Sequence, residues 1–153
     1  MPLPFHRIAV AIDGSETAGH ALGVAIDLAK HYAASILVIA IVPPPVVFVA
    51  PNSPIMPAAV PDSALPRLRE LVDAAVASAR ASGVRSATGI CEEGVVVDEI
   101  LAKIEADATD LLVVGSRGLS TAQRFLLGSV SSALVNRAGC PVLVVRPPKP
   151  HSG

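Results

Sequence analysis

Hydrophobic and polar positions alternate along this chain in blocks that predict strands and helices in turn. Four runs are continuously apolar, which is typical of strands that are covered by helices on both faces. A weaker run, residues 84–91, is interrupted by Arg85, Ser86 and Thr88 and favours a strand at a sheet edge. The four continuous runs are residues 8–12, 36–42, 111–114 and 142–145.

Between these runs, apolar residues recur every three or four positions and predict four amphipathic helices. Ser15 is a suitable N-cap for the first helix, and Gly83 suits the left-handed cap that ends the second. The order β-α-β-α-β-α-β-α-β predicts an α/β fold, a doubly wound parallel sheet, in one domain spanning residues 1–153. The predicted helices cover residues 18–29, 65–79, 96–104 and 128–137.

The segment Pro43–Pro66 interrupts this regular order. It contains eight of the 14 prolines and a single charged residue, Asp62. Repeated proline blocks helices and strand ladders, so the segment is predicted to be a long loop insertion. Its residues are nevertheless too apolar for a solvated linker. Two interpretations stay open: a loop folded back over the domain, or a lid or docking surface for a protein partner.

Composition and charge narrow the class of protein. Hydrophobic residues make up 52% of the chain and aromatic residues 3%, so the core must consist of small aliphatic side chains. A net charge of -1 argues against non-specific binding to nucleic acid or to an anionic membrane. No apolar stretch approaches the length of a membrane span or of a signal-peptide core, and the expected location is cytoplasmic. Two cysteines are too few for a disulfide scaffold.

The candidate chemistry lies in two glycine-containing segments. Gly115-Ser116-Arg117-Gly118 directly follows a predicted buried strand, and Gly128-Ser129 opens the last helix. Glycine lets the backbone approach a ligand closely, and a helix N-terminus presents unpaired N–H groups, so together they predict a phosphate cradle. A glycine pair alone is also common in simple turns. The sequence has neither a P-loop nor a G-x-G-x-x-G after its first strand, which points to another class of nucleotide binder.

Four stretches of the chain resemble one known family, the universal stress proteins. The resemblance covers nearly the whole chain and departs mainly in the Pro43–Pro66 loop. The spacing G-x2-G-x9-G-[ST], which marks the ATP-binding members of that family, is present from Gly115 to Ser129. The resemblance implies a five-stranded parallel sheet in the order 3-2-1-4-5, with helices on both faces. The stretches are residues 8–15, 110–118, 127–130 and 140–145.

In that strand order, the first and fourth strands are neighbours where the winding reverses, which is where ligands bind in open α/β sheets. Asp13 follows the first strand and Gly115 the fourth, so the two should meet there. The resemblance implies ATP as ligand, with Mg²⁺ bound alongside it and Asp13 as a possible indirect partner of the metal. The implied ATP-binding residues are Ala11, Ile12, Asp13, Ile41, Val42, Val114, Gly115, Arg117, Gly118, Gly128, Ser129, Val130 and Ser131.

By the same resemblance, Ile41 and Val42 would line the adenine pocket, the turn at Val114–Gly118 would wrap ribose and phosphates, and Gly128–Ser131 would hold phosphates. Two assignments have competing interpretations. Asp13 could instead serve as an anion at the start of the first helix, beside Ser15. Arg117 and Arg124 could reach a phosphate or could be solvated surface residues.

The last predicted strand bears on assembly. If residues 142–145 form a sheet edge, they present an apolar row of unpaired backbone groups. Pairing with the same strand of a second copy about a two-fold axis would cover that edge, and the family resemblance also implies a homodimer.

Three functions follow for this chain. The first is an ATP-binding regulatory module in the stress response. The others are a slow ATPase or phosphoryl-transfer enzyme and an interaction protein with a vestigial nucleotide site. The sequence shows no Walker lysine, no nucleophile with an evident base, and no His, Cys, Asp or Glu cluster at metal-ligand spacing. Cys91 and Cys140 are expected to be small buried hydrophobic residues.

Overall fold

A computed structural model of the chain describes residues 4–44, 47–48, 51–52, 56–57, 63–118 and 127–148. Strands and helices alternate along it, apart from a two-stranded antiparallel ribbon within the proline-rich segment. None of the helices in these residues is long and apolar enough to cross a membrane. The elements are β1 (Arg7–Ala11), α1 (Glu16–Tyr32), β2 (Ser35–Val42), β3 (Val47–Phe48), β4 (Met56–Pro57), α2 (Ala64–Ala81), β5 (Ala87–Glu93), α3 (Val96–Ala106), β6 (Leu111–Gly115), α4 (Ser129–Arg137) and β7 (Val142–Val145).

Five strands form one parallel sheet in the order β5-β2-β1-β6-β7. Counted along the chain without the short ribbon strands, this order is 3-2-1-4-5, as predicted. The weakly apolar strand β5 lies at one edge, also as predicted, and β7 lies at the other. The β1 strand therefore sits at the centre, between β2 and β6, where the direction of winding changes.

The sheet is covered on both faces because successive residues of its central strands point to opposite sides. Ile8 and Val10 of β1 pack with the small residues of α1 and α2, whereas Ala9 packs with α3 and α4. All the largest fully buried side chains are aliphatic. The composition of the chain is thus explained by an aliphatic core in two layers, one on each side of the sheet. These side chains are Ile8, Val10, Ile36, Val38, Ile39, Leu112, Val113 and Leu134.

The two ends of α2 differ from the predicted boundaries in instructive ways. Val84 was predicted to begin the next strand, but its N–H donates to the carbonyl of Ala79 and so closes the C-terminus of α2 after Gly83 has taken a φ of +104°; β5 begins only at Ala87. At the other end, α2 begins at Ala64, one residue before the predicted start and within the segment Pro43–Pro66 that was predicted to be a loop. Proline is tolerated in the first turn of a helix, where its missing N–H has no intrahelical partner to lose.

Asp110 joins β6 to β1 by hydrogen bonds at the amino-terminal edge of the sheet. Its Oδ2 accepts the N–H of His6 at 2.8 Å, and its Oδ1 accepts the N–H of Arg7 at 3.1 Å. The carboxylate at the start of β6 thereby holds the start of β1. This pair of hydrogen bonds aligns the two central strands, and hence the loops that leave their opposite, carboxyl ends.

Candidate functional site

A cavity of about 280 Å³ opens at the carboxyl edge of the sheet, where β1 and β6 lie side by side. Its volume is near the lower limit of ~300–1,000 Å³ that is usual for small-molecule sites. Residues from β1, β2, β6 and all four helices or their adjoining loops contribute to the lining. The lining residues are Ala11, Ile12, Asp13, Ala18, Ile41, Pro43, Leu68, Val96, Ile100, Val114, Gly115, Arg117, Gly118, Val130, Ser131 and Leu134.

The structure brings most of the residues implied by the family resemblance to this one cavity, but it leaves Val42, Gly128 and Ser129 outside the lining. The backbone carbonyl of Val42 accepts the N–H of Gly94 at 2.9 Å, so this residue faces the edge strand β5. Gly128 is buried and donates its N–H to the carbonyl of Ser116 at 2.8 Å, while Ser129 is exposed. The second candidate arginine, Arg124, lies outside the described residues.

Gly115 and Gly118 are glycines because their neighbours are close. A Cβ on Gly115 would lie 3.0 Å from Cγ2 of Thr17 and 3.1 Å from the backbone carbon of the same residue. A Cβ on Gly118 would lie 2.8 Å from Oδ2 of Asp13. All three distances are shorter than ordinary contacts of a Cβ atom. The end of β6 is therefore packed closely against the first turn of α1, and the turn that follows β6 is packed against the side chain of Asp13.

The two carboxylate oxygens of Asp13 lie near different neighbours. Oδ1 accepts the N–H of Ser15 at 2.9 Å, and the hydroxyl of Ser15 in turn accepts the N–H of Ala18 at 3.2 Å. The role as an anion at the start of α1 is therefore present in the structure. Oδ2, however, faces Gly118 across the mouth of the cavity. One carboxylate can thus hold the N-cap residue Ser15 and still present an oxygen to a ligand.

The N-terminus of α4 opens on the cavity without a side-chain cap. Its N-cap residue is Gly128, which has no side chain to accept a hydrogen bond, and the first intrahelical bond runs from Ser132 N–H to Gly128 O. The N–H groups of Ser129, Val130 and Ser131 precede that bond and are the orphan donors of the helix. Val130 and Ser131 line the cavity. Helix α1, in contrast, is capped by its own Ser15.

The backbone of Ile41 faces the cavity beyond the end of β1. In a parallel sheet, the N–H and C=O of one residue face the same neighbouring strand, and successive residues face opposite strands. Ile12 donates its N–H to the carbonyl of Ile39, so Ile39 faces β1, whereas Val42 faces β5 through its bond to Gly94. Ile41 therefore faces the side of β1 as well. Because the pairing with β1 ends at Ile39, Ile41 presents a donor and an acceptor side by side.

The charged groups of the lining are Asp13 and Arg117, one of each sign. Within the described part of the chain, no three His, Cys, Asp or Glu residues lie close enough together to hold a metal ion. A divalent cation would fit here only with oxygen ligands from a bound molecule completing its shell around Asp13, which agrees with the oxygen preference of Mg²⁺.

Six lining residues were not predicted from the sequence. Five of them come from the first two turns of helices, and the sixth is the residue after β2. A signal for some of them does exist, since the N-terminal turns of crossover helices lie at the carboxyl edge of a parallel sheet. Apolar residues in those first turns are therefore candidates for a binding cavity. The six are Ala18, Pro43, Leu68, Val96, Ile100 and Leu134.

The two cysteines lie away from this cavity and are partly, not fully, buried. Cys91 packs against the cluster of α1 and α2, and Cys140 against that of α3 and α4. Desolvation by burial raises the pKa of both thiols. A raised pKa lowers the thiolate fraction at neutral pH, and with it the nucleophilicity of the group, so both residues serve as packing groups.

The sequence matches known proteins over most of its length. Residues 4–146 match the model of the universal stress protein family. The universal stress protein YxiE of Bacillus subtilis is 33% identical over 150 residues, which cover 93% of this chain and 99% of that protein. A universal stress protein of Methanocaldococcus jannaschii is 32% identical over 95% of this chain and 84% of that protein.

Solved structures share the fold at lower identity. UspA from Lactobacillus plantarum superposes with a TM-score of 0.79 at 20% identity, covering 94% of this chain and 99% of that one. A universal stress protein in complex with cAMP has a TM-score of 0.71 at 24% identity, covering 94% and 98%. The universal stress protein of Archaeoglobus fulgidus in complex with dAMP has a TM-score of 0.68 at 20% identity, covering 94% and 99%.

Proposed function

This chain belongs to the universal stress protein family, and from that premise we propose that it is a regulatory module that binds ATP at the carboxyl edge of its sheet. The observation that carries the proposal is the N-terminus of α4, which has no side-chain cap from Gly128, whose first N–H groups have no partner within the helix, and which opens on the cavity beside Gly115–Gly118. Helix N-termini that combine unpaired N–H groups with a partial positive charge bind phosphate. Arg117 can add a charge-assisted hydrogen bond to the same anion.

Ile41 supports adenine as the base. Its backbone N–H is a donor and its C=O an acceptor, so they complement a ring nitrogen acceptor and an exocyclic amino donor on one edge of a base. Adenine carries an amino donor where guanine carries a carbonyl acceptor. Relatives solved in complex with cAMP and with dAMP hold adenine nucleotides on the same fold. The apolar residues around Ile41, among them Pro43 and Leu68, suit the faces of a base.

Mg²⁺ accompanies the nucleotide in this proposal. Oδ2 of Asp13 lies at the mouth of the cavity, where its negative charge would repel phosphates unless a cation stood between them. A magnesium ion supplies that positive charge and is usually held by one or two carboxylates together with substrate phosphates. Asp13 is the residue of this site that would hold it.

Calorimetric titration tests the proposal. We expect ATP with Mg²⁺ to bind at micromolar to millimolar concentration, and EDTA to weaken the binding of ATP more than that of AMP. GTP should bind at least about tenfold more weakly, because in the orientation that adenine takes the carbonyl of guanine would face the buried carbonyl of Ile41 and leave it without a donor. Absence of heat or competition with any adenine nucleotide would rule out the proposal. Phosphate release that is lost in Asp13→Ala would instead favour the enzymatic alternative.

We also propose that the protein forms a homodimer through β7. This strand is a sheet edge, and Leu143 on it keeps 37% of its surface exposed. Natural proteins blunt such edges with charges or cover them, and the opposite edge strand β5 ends in Glu92 and Glu93. Pairing of two β7 strands about a two-fold axis would cover the uncharged edge.

The dimer is tested by sedimentation equilibrium on an edge variant. Leu143→Lys should change the mass from that of two chains to that of one, because a charge on an edge strand opposes strand pairing. Thr88→Lys, at an exposed position of the other edge strand, is the matched control and should leave the dimer intact. A parent protein that sediments as a monomer at micromolar concentration would contradict the proposal.

A further inference from the structure

We infer that the hydroxyl of Ser131 positions a turn of the proposed ATP site and does not donate a hydrogen bond to phosphate. The inference rests on the proposed function and revises one residue of it. Ser131 lines the cavity in the first turn of α4, as expected of a phosphate ligand, but its side chain is turned to the backbone of the neighbouring loop.

The hydroxyl of Ser131 already donates a hydrogen bond within the protein. Its Oγ donates to the carbonyl of Gly115 over 2.6 Å, and only 6% of the residue is exposed. A serine hydroxyl has a single proton to donate. A phosphate oxygen is an acceptor, so Ser131 could serve it through the hydroxyl only by giving up the bond to Gly115. That would leave a carbonyl oxygen unpaired in a largely buried place.

The bond from Ser131 to Gly115 and two backbone hydrogen bonds of Ser116 together hold the turn Gly115–Gly118 in place. We refer to these three bonds as the clamp. On the side of α4, the carbonyl of Ser116 accepts the N–H of Gly128 at 2.8 Å. On the side of the sheet edge, the N–H of Ser116 donates to the carbonyl of Val145 at 2.8 Å. Those two bonds join backbone to backbone, whereas the bond of Ser131 comes from a side chain and can be removed by substitution.

The clamp determines the distance between two parts of the site. One part is the turn Gly115–Gly118, which faces Asp13, and the other is the N-terminus of α4. Ser131 lies in the first turn of α4 and links it to the turn Gly115–Gly118 through the hydrogen bond to Gly115. Its removal should loosen the turn and so weaken every ligand that touches the turn. Loss of a direct phosphate ligand would instead weaken only ligands that carry phosphate.

The test compares ATP with adenosine in calorimetric titrations of Ser131→Ala, Ser131→Thr and the parent. We expect Ser131→Ala to weaken both ligands by the same factor, about fivefold to tenfold, and Ser131→Thr, which keeps the hydroxyl, to restore both. Ser132→Ala removes a hydroxyl from the next position of α4, outside the cavity lining, and should change neither affinity. Weaker binding of ATP with unchanged binding of adenosine would overturn the inference.

Hydrogen exchange of backbone amides provides a second readout that needs no ligand. The N–H groups of Ser116 and Gly128 are donors of the clamp, so they should exchange faster in Ser131→Ala than in the parent and in Ser132→Ala. Unchanged exchange would overturn the inference.

If the parent binds neither ATP nor adenosine, the proposed function fails, and the exchange rates alone then decide whether Ser131 holds the turn. Should Ser131→Ala not fold, Ser131→Cys, a weak donor, replaces it in both measurements.

Discussion

Replacing Gly118 by valine should abolish nucleotide binding while the protein stays folded. The Cβ of any side chain at this position would lie 2.8 Å from Oδ2 of Asp13, so the carboxylate would have to turn away. The remaining atoms of valine would extend into the cavity that Gly118 lines. Gly118 does not have a positive φ, so the substitution itself strains no backbone dihedral. We expect the affinity for ATP to fall by about 100-fold, a factor that corresponds to about 2.7 kcal/mol and lies near the upper end of the usual cost of overpacking, about 1–3 kcal/mol.

The measurement is calorimetric titration together with thermal unfolding. Gly139→Val is the matched control, because Gly139 has a negative φ, no atom within 4 Å of its added Cβ, and a position in the loop after α4, away from the lining. The control should bind ATP like the parent. Undiminished binding by Gly118→Val would show that the site is misplaced. Gly128 is less informative, since a Cβ there would meet the turn only at ordinary contact distances of 3.5–3.7 Å.

Replacing Gly115 by valine should destabilise the whole domain, not only the site. A Cβ at this position would meet the backbone carbon of Thr17 at 3.1 Å and the backbone nitrogen of Ala18 at 3.2 Å. Backbone atoms in the first turn of a helix cannot move aside as a flexible side chain can. Helix α1 would have to shift away from β6, which it contacts across the core. We expect a loss of about 1–3 kcal/mol in the free energy of unfolding, the usual cost of overpacking.

Urea denaturation measures this loss, and Gly23→Ala is its control. Gly23 lies exposed within α1 with no atom within 4 Å of its added Cβ. Alanine there should stabilise the protein by about 0.5–1 kcal/mol, because glycine is a poor residue in a helix interior. Equal stability of Gly115→Val and the parent would contradict the close packing of β6 against α1.

Much of the fold could be predicted because the relevant signals are local. The run at residues 36–42 is too apolar and too short for anything but a strand buried on both faces, and β2 covers residues 35–42 in the structure. Ser15 was predicted as the N-cap of the first helix, and its hydroxyl accepts the N–H of Ala18. The first and last residues of strands and helices were predicted less accurately. Val84 was assigned to a strand by its hydrophobicity, but it closes the end of α2.

The position of the candidate site in the sheet could be predicted. The order of strands follows from the alternation of elements and the family resemblance, and it places Asp13 and Gly115 at one point of the sheet. The contacts within the site did not follow. Whether Ile41 or Val42 faces the cavity depends on the register of β2 between its two neighbours, and a shift of one residue would exchange them.

Periodicity and spacing along this chain therefore specify its elements, its parallel sheet and the edge of the sheet where a ligand would bind. Only the tertiary structure decides how individual polar atoms are used: one oxygen of Asp13 at the start of α1 and the other toward Gly118, and the hydroxyl of Ser131 on Gly115. The physical reason is distance. Hydrogen bonds require positions correct to a few tenths of an ångström, and the packing of both helical layers against the sheet sets those positions.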